Sequence, residues 1–183
     1  MAVFSTDKAA NEKYSIDTKG SVITWKGGNV AGSNTHTGYI SISKGALTAE
    51  NGQLVGGTAE VDMNTMSDES HDSDSGLISH LKNPDFFDVE RFPSAKIVLT
   101  KVVPANNGNS NVTGNLTIKG ITHPVTFPAK IEVKVGILTM NGKLVIDRTL
   151  WDINYKSGKL LYIIADEAIS DSIEFYIKIV AKK

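Results

Sequence analysis

The sequence predicts an all-β fold of eight or nine antiparallel strands with one helix. Apolar and polar residues alternate with a period of two through most of the chain, as they do in half-buried strands. Turn pairs such as Asn51-Gly52, Lys119-Gly120 and Asn141-Gly142 punctuate those runs. Only residues 73–82 show helical spacing, through Leu77, Ile78 and Leu81. A long meander with one apolar face must bury that face, either by closing into a barrel or by folding as a sandwich.

Residues 1–12 are short and polar and are expected to be frayed or tag-like. Strand patterning then begins at Tyr14, and Ile23 and Trp25 share one face. Residues 27–34 are glycine- and asparagine-rich, a turn or a bulged corner. His36, Gly38, Ile40 and Ile42 face one way in the next strand, with His36 read as a structural hydrogen-bonding residue. Asn51-Gly52 predicts a hairpin, because both positions tolerate positive φ. Beyond it, Val55, Gly57, Ala59, Val61 and Met63 form one face. Ser70 or Asp72 is placed to cap the helix.

After the helix, Ala95, Ile97 and Leu99 alternate with Lys96, Val98 and Thr100. Val112, Gly114, Leu116 and Ile118 face together in the next strand. Val125, Phe127, Ala129, Ile131, Val133 and Val135 show the cleanest alternation of all. Pro124 and Pro128 remove donors within that run, so it is expected to meet an edge, a bulge or a barrel rim. Asn141-Gly142 predicts a further hairpin between residues 137–140 and 143–147. Residues 148–171 are irregular, with an apolar run from Leu160 to Ala165 and a helical turn expected near residues 166–169. Ile173, Phe175, Ile177 and Ile179 close the chain as a strand.

The 183 residues suit one domain with a sizeable core. A net charge of −1 gives no electrostatic case for nucleic acid or anionic membrane as a partner. The absence of cysteine excludes disulfides, thiol chemistry and thiolate metal sites. No apolar run is long enough to be a transmembrane helix, and the first eight residues lack the apolar core of a signal peptide. His71 and His80 fall on opposite sides of a helix, so no paired-histidine metal site and no cofactor are expected.

The chain's densest feature is residues 80–93, which hold three of its six phenylalanines, Phe86, Phe87 and Phe92, between Pro84 and Pro93. Pro84 ends the preceding helix and Pro93 forces an extended entry into the next strand. Rings on so stiff a backbone serve as a core plug, and Phe86 and Phe87 are candidates to line an apolar cavity as well. Asp85, Asp88 and Glu90 admit a third reading, paired carboxylates for acid–base chemistry, and an enzyme using Asp85, Asp88 or Asp152 requires two carboxyls to converge in a pocket.

Two segments resemble a known family. Leu81-Lys82-Asn83-Pro84-Asp85-Phe86-Phe87-Asp88-Val89-Glu90-Arg91-Phe92-Pro93-Ser94-Ala95 is similar to the L-x-x-x-D-F-F-D-V-x-x-[YF]-P-x-A segment of the YceI-like family. The run from Val112 through Gly114, Lys119-Gly120 and His123-Pro124 to Val125 resembles its V-T-G-x-L-T-I-K-G-V-T-x-P-V segment. Tyr14-Ser15-Ile16-Asp17, Asp147-Arg148 and Trp151-Asp152 also fit, so the likeness covers about residues 14–181. The resemblance implies an eight-stranded, lipocalin-like antiparallel barrel over residues 13–183 with a helix near its mouth. It further implies a lumen that holds a polyisoprenoid or other apolar lipid, no catalysis, and a periplasmic or secreted location. A homodimer is left open.

An eight-stranded barrel is wide enough either to fill with side chains or to hold one small ligand. Gly38, Gly57, Ala59, Gly114 and Ala129 on apolar faces favour a hollow one. Alternation and the helix position nominate Trp25, Ile40, Ile42, Ala59, Val61, Leu81, Phe86 and Phe87 as lining residues. Leu99, Leu116, Phe127, Ile131 and Phe175 complete that set. The leading expectation is a protein that binds, and carries, a long apolar amphiphile. The alternative is a non-catalytic, stress-linked structural or interaction module with a filled barrel.

Overall fold

The structure is a computed structural model that describes residues 11–158 and 168–183. Its strands are β1 (Asn11–Ile16), β2 (Val22–Gly28), β3 (Thr35–Glu50), β4 (Gln53–Asp68), β5 (Ser94–Pro104), β6 (Asn109–Ile118), β7 (Ile121–Lys134), β8 (Ile137–Asp147) and β9 (Ser172–Lys182). The helix α1 (Gly76–Lys82) lies between β4 and β5. Every pairing is antiparallel, and each strand from β3 to β9 pairs with the next. β1 and β2 share the gap between β9 and β3: β2 pairs with Thr35–Ile40 of β3 and β1 with Ala46–Glu50. Both also pair with β9. Nine strands therefore fill eight positions of a closed barrel. Closure gives every strand a partner on both sides over at least part of its length, which decides between the barrel and the sandwich.

β1 begins at Asn11, two residues inside the segment expected to fray. The Asn51-Gly52 hairpin forms with φ of 52° and 74° at its two residues. The hairpin expected at Asn141-Gly142 does not form. β8 runs straight through both residues, with Gly142 opposite Ala129 and Ile177. The glycine is there for packing: a Cβ on Gly142 would stand 3.0 Å from the Phe127 ring. The chain turns instead at Val135-Gly136, with φ of 44° and 77°. Val135, expected on the inward face, is wholly exposed at 102%.

β4 changes face within its length. Leu54 is buried and Val55 exposed, yet Met63 is buried as the alternation predicts. The β3–β4 ladder steps from Thr48↔Gly56 to Ala49↔Leu54, so Val55 is the extra residue of a bulge. Helix α1 starts later than expected. Its N-cap is Ser75, whose hydroxyl accepts from the Ile78 amide at 3.3 Å. Asp68 and Asp72 spend their carboxylates on amides of the preceding turns, so neither Asp72 nor Ser70 caps the helix. His71 consequently lies outside the helix, stacked on Tyr39 at 4.3 Å.

The end of the barrel away from α1 is solid. Tyr14, Leu47, Val112, Phe127, Leu138 and Ala181 fill it, none more than 2% exposed. At the α1 end the barrel opens. β7 pairs with β8 only over Ala129–Lys134, so Pro124 and Pro128 lie in a stretch with no β8 partner. A 3₁₀ turn over Arg148–Trp151 folds in there. Trp151 donates its Nε1–H to the Leu116 carbonyl at 3.1 Å, and the His123 ring stands edge-on to it.

Arg148, 1% exposed, secures the segment between β8 and β9. Its Nε donates to the Ser170 carbonyl (2.9 Å), Nη1 to Ile153 (2.8 Å) and Nη2 to Ile169 (3.0 Å). Asp171 stands 3.8 Å from Nη2. Burial pulls the guanidinium pKa below its ordinary value, and Asp171 and Asp147 oppose that pull. The apolar run Leu160 to Ala165 lies outside the described residues, as do residues 166–167 of the expected helical turn. Ile169, at its end, forms isolated β-bridges with Asn29 and Ser157.

Stability should respond at two positions. Arg148→Ala strips three carbonyls of their donor and should cost about 3–5 kcal/mol in urea unfolding. Arg148→Lys should recover little of that, because an ammonium cannot reproduce the fork. Val135→Asn should stabilise by about 1 kcal/mol, since a β-branched residue is strained in the left-handed region and Asn tolerates it. Differential scanning calorimetry should show the rise as about 2–4 °C.

Candidate functional site

The open end of the barrel holds a cavity of about 570 Å³. Strand alternation supplies its walls. Ile23 and Trp25 come from β2, Ile40 from β3, Val61 and Met63 from β4. Ile97, Leu116, Leu144 and the β9 residues Ile173, Phe175 and Ile177 continue the ring. β7 contributes nothing, because Trp151 covers the His123 end of its inner face.

The roof is built by α1 and the phenylalanine-rich loop after it. Leu77 and Leu81, four residues apart on one face of α1, point into the cavity, while Ile78 is fully buried. The loop folds back onto the helix end: Phe87 N–H donates to Leu81 O (3.1 Å) and Val89 N–H to Lys82 O (2.9 Å). These bonds satisfy helix carbonyls that Pro84 leaves without continuing partners. They also hold Phe86 and Phe87 over the opening, 5% and 8% exposed.

Polar groups gather at the rim. His80, Phe86 and Tyr155 form a ring cluster with centroids 4.9–5.2 Å apart, and Arg148 sits 6.0 Å above Phe86. Arg148, Lys156, Ser170, Asn29, Asn34 and His36 border the same space. Among the described residues, no Asp or Glu lines it. Trp25 presents an apolar wall: its Nε1 has no acceptor among the described residues, and its ring packs against Gly38 with no room for a Cβ.

Eight nominated residues line the cavity, namely Trp25, Ile40, Val61, Leu116 and Phe175 on strands and Leu81, Phe86 and Phe87 in the roof. Five do not. Ile42, Leu99 and Phe127 are buried in the solid part of the barrel, and Ala59 and Ile131 pack against that core. Each does face inward, as alternation requires, but stands outside the cavity lining. The inward glycines do not hollow the barrel either. A Cβ on Gly114 would meet Ile97 and Leu99 within 3.3 Å, and one on Gly57 would meet Leu47 at 2.8 Å. Those glycines accommodate neighbouring side chains, not a ligand.

Arg148 and Tyr155 were not nominated, because their segment has no periodicity from which to read a direction. Ile23, Ile173 and Ile177 share the faces of Trp25 and Phe175, and that shared face was the available signal. Asp85 and Asp88 are held by local partners, His80 at 3.4 Å and Arg91 at 3.2 Å, and with Asp152 they stand outside the lining. Among the described residues no group of three or more His, Asp or Glu is placed to hold a metal ion.

Comparison with known proteins agrees with this architecture. A UPF0312 protein of Shewanella denitrificans is 33% identical over 122 residues, 63% of this chain and 60% of that protein. One of Pseudomonas putida strain W619 is 32% identical over 130 residues, 70% of this chain and 66% of that protein. The chain thus spans 60% to 66% of the length of these relatives. Among solved structures, BcnA of Burkholderia cenocepacia superposes with a TM-score of 0.67 at 20% identity, over 91% of this chain and 99% of BcnA. A polyisoprenoid binding domain from Saccharophagus degradans superposes with a TM-score of 0.64 at 10% identity, over 96% and 99% of the two chains. These likenesses establish the barrel fold. The model of the YceI-like domain matches residues 14–181, nearly the whole chain, and the protein belongs to the YceI-like family.

Proposed function

We propose that the protein binds, without turning it over, an amphiphile whose apolar tail occupies the barrel cavity and whose polar head rests at the rim. The observation that carries this is the cavity itself: an interior space walled chiefly by aliphatic and aromatic side chains, with polar groups gathered at its mouth, Lys96 of β5 apart. Its volume of about 570 Å³ lies within the roughly 300–1,000 Å³ usual for small-molecule sites. A filled barrel serving as a structural module does not need such a space, whose unmet dispersion contacts cost stability. An isoprenoid is the favoured class, supported by family membership and by the structural neighbour described as a polyisoprenoid binding domain. Carriage between membranes, and a periplasmic site for it, belong to the proposal and rest on the family alone.

The energetics suffice without a charged anchor. Burying about 300 Å² of apolar tail contributes roughly 7 kcal/mol before the costs of association and chain ordering. Two experiments test the reading. Protein purified from its native host, extracted with organic solvent and analysed by mass spectrometry, should yield an apolar amphiphile; repeated empty extracts would count against it. Val61→Trp, which fills the cavity from β4, should weaken farnesol binding by about tenfold or more, equivalent to about 1.4 kcal/mol. Circular dichroism should show the barrel intact in that variant, and unchanged farnesol affinity would place the ligand elsewhere.

A further inference from the structure

The cavity stops partway down the barrel. Its deepest wall residues are Ile23 on β2, Ile40 on β3, Val61 on β4, Ile97 on β5, Leu116 on β6 and Ile177 on β9. At the next inward positions the interior is occupied. Ile42, Leu99, Met140 and Ile179 are each 7% exposed or less and form a floor together with Phe127. Phe127 reaches from β7 to Gly142 of β8, and Leu99 reaches from β5 to Gly114 of β6, so the two side chains are seated on glycines across the wall. Beneath them lies the solid end, with Tyr14, Leu47, Val112 and Leu138 no more than 2% exposed. Packing of this kind leaves no path for a chain to thread onward without breaking the core.

We infer that the floor sets a ceiling on the tail length that gains affinity, at about the size of a farnesyl or geranylgeranyl group, so that longer polyprenyl chains bind no more tightly. This rests on the reading of the cavity as an apolar-tail site. The depth sets the limit. On β2 the lining runs from Gly28 at the mouth to Ile23 at the floor, a length of about 17 Å at roughly 3.3 Å per residue, which an extended chain of three to four isoprene units spans. A farnesyl chain fits with its head, and a geranylgeranyl chain just fills the space. Further isoprene units find no room below the floor and so add no affinity from the barrel interior.

The test is a chain-length series of geraniol, farnesol, geranylgeraniol and a long polyprenol, each competed against a fluorescent farnesol analogue on the whole protein. Affinity should rise about tenfold or more per isoprene unit as far as the cavity extends, then level off after geranylgeraniol. Ile177→Phe raises the floor and should move the plateau one unit shorter. Phe127→Ala lowers it and should move the plateau longer. Affinity that keeps climbing through the long polyprenol in wild type overturns the floor while leaving the cavity as the site. So does a plateau that neither variant moves. Failure of every chain to compete, with the analogue itself unbound, overturns the apolar-tail reading instead. If Phe127→Ala does not fold, Ile177→Phe decides the matter alone.

Discussion

A closed barrel of eight positions has little interior to share. Every second side chain on every strand points into it, so the sum of those side-chain volumes decides whether a space remains. Here the sum is distributed unevenly. One end receives Tyr14, Phe127, Leu138 and the branched residues around them, and closes solidly. The other receives residues of similar size on strands that have parted, with Trp151 covering one flank and α1 the top. The cavity is therefore a consequence of where β7 leaves β8, and not of small side chains along the lumen. That divergence also explains how β7 tolerates two prolines in the middle of its length.

Parting two strands leaves backbone groups to be satisfied, and Arg148 does much of that. Its planar fork reaches three carbonyls at both ends of the segment between β8 and β9. A guanidinium buried beside an apolar cavity is costly unless its donors are engaged, and here three are engaged on backbone, with Asp171 close by. The same group that ties down the chain gives the rim its positive character. Structural and electrostatic roles coincide in one side chain.

Much of the fold was legible from alternation alone. Strand number, the inward faces of β6 and β9, the helix and its leucine stripe all follow from period-two and helical spacing. Three things did not. Alternation assigns a side chain to the lumen but carries no coordinate along the barrel axis, so Ile42, Leu99 and Phe127 were indistinguishable from Ile40, Leu116 and Phe175. A glycine within a strand pattern has two meanings: Gly52 turns the chain, whereas Gly142 makes room for a ring on the neighbouring strand. The bulge at Val55 shifts the phase of β4 without any residue that announces it. Family resemblance supplied the closure that periodicity left open, and tertiary packing decided the rest.

The pairing of β1 and β2 into a single place in the wall has a bearing beyond closure. β1 lies along the solid end only, whereas β2 alone borders the cavity. The two tasks of that wall, holding the barrel shut and shaping the space inside it, are thus carried by separate stretches of chain. Selection can alter the lodging by acting on β2 while β1 goes on serving as a latch, so the protein is free to change its guest without renegotiating its own integrity.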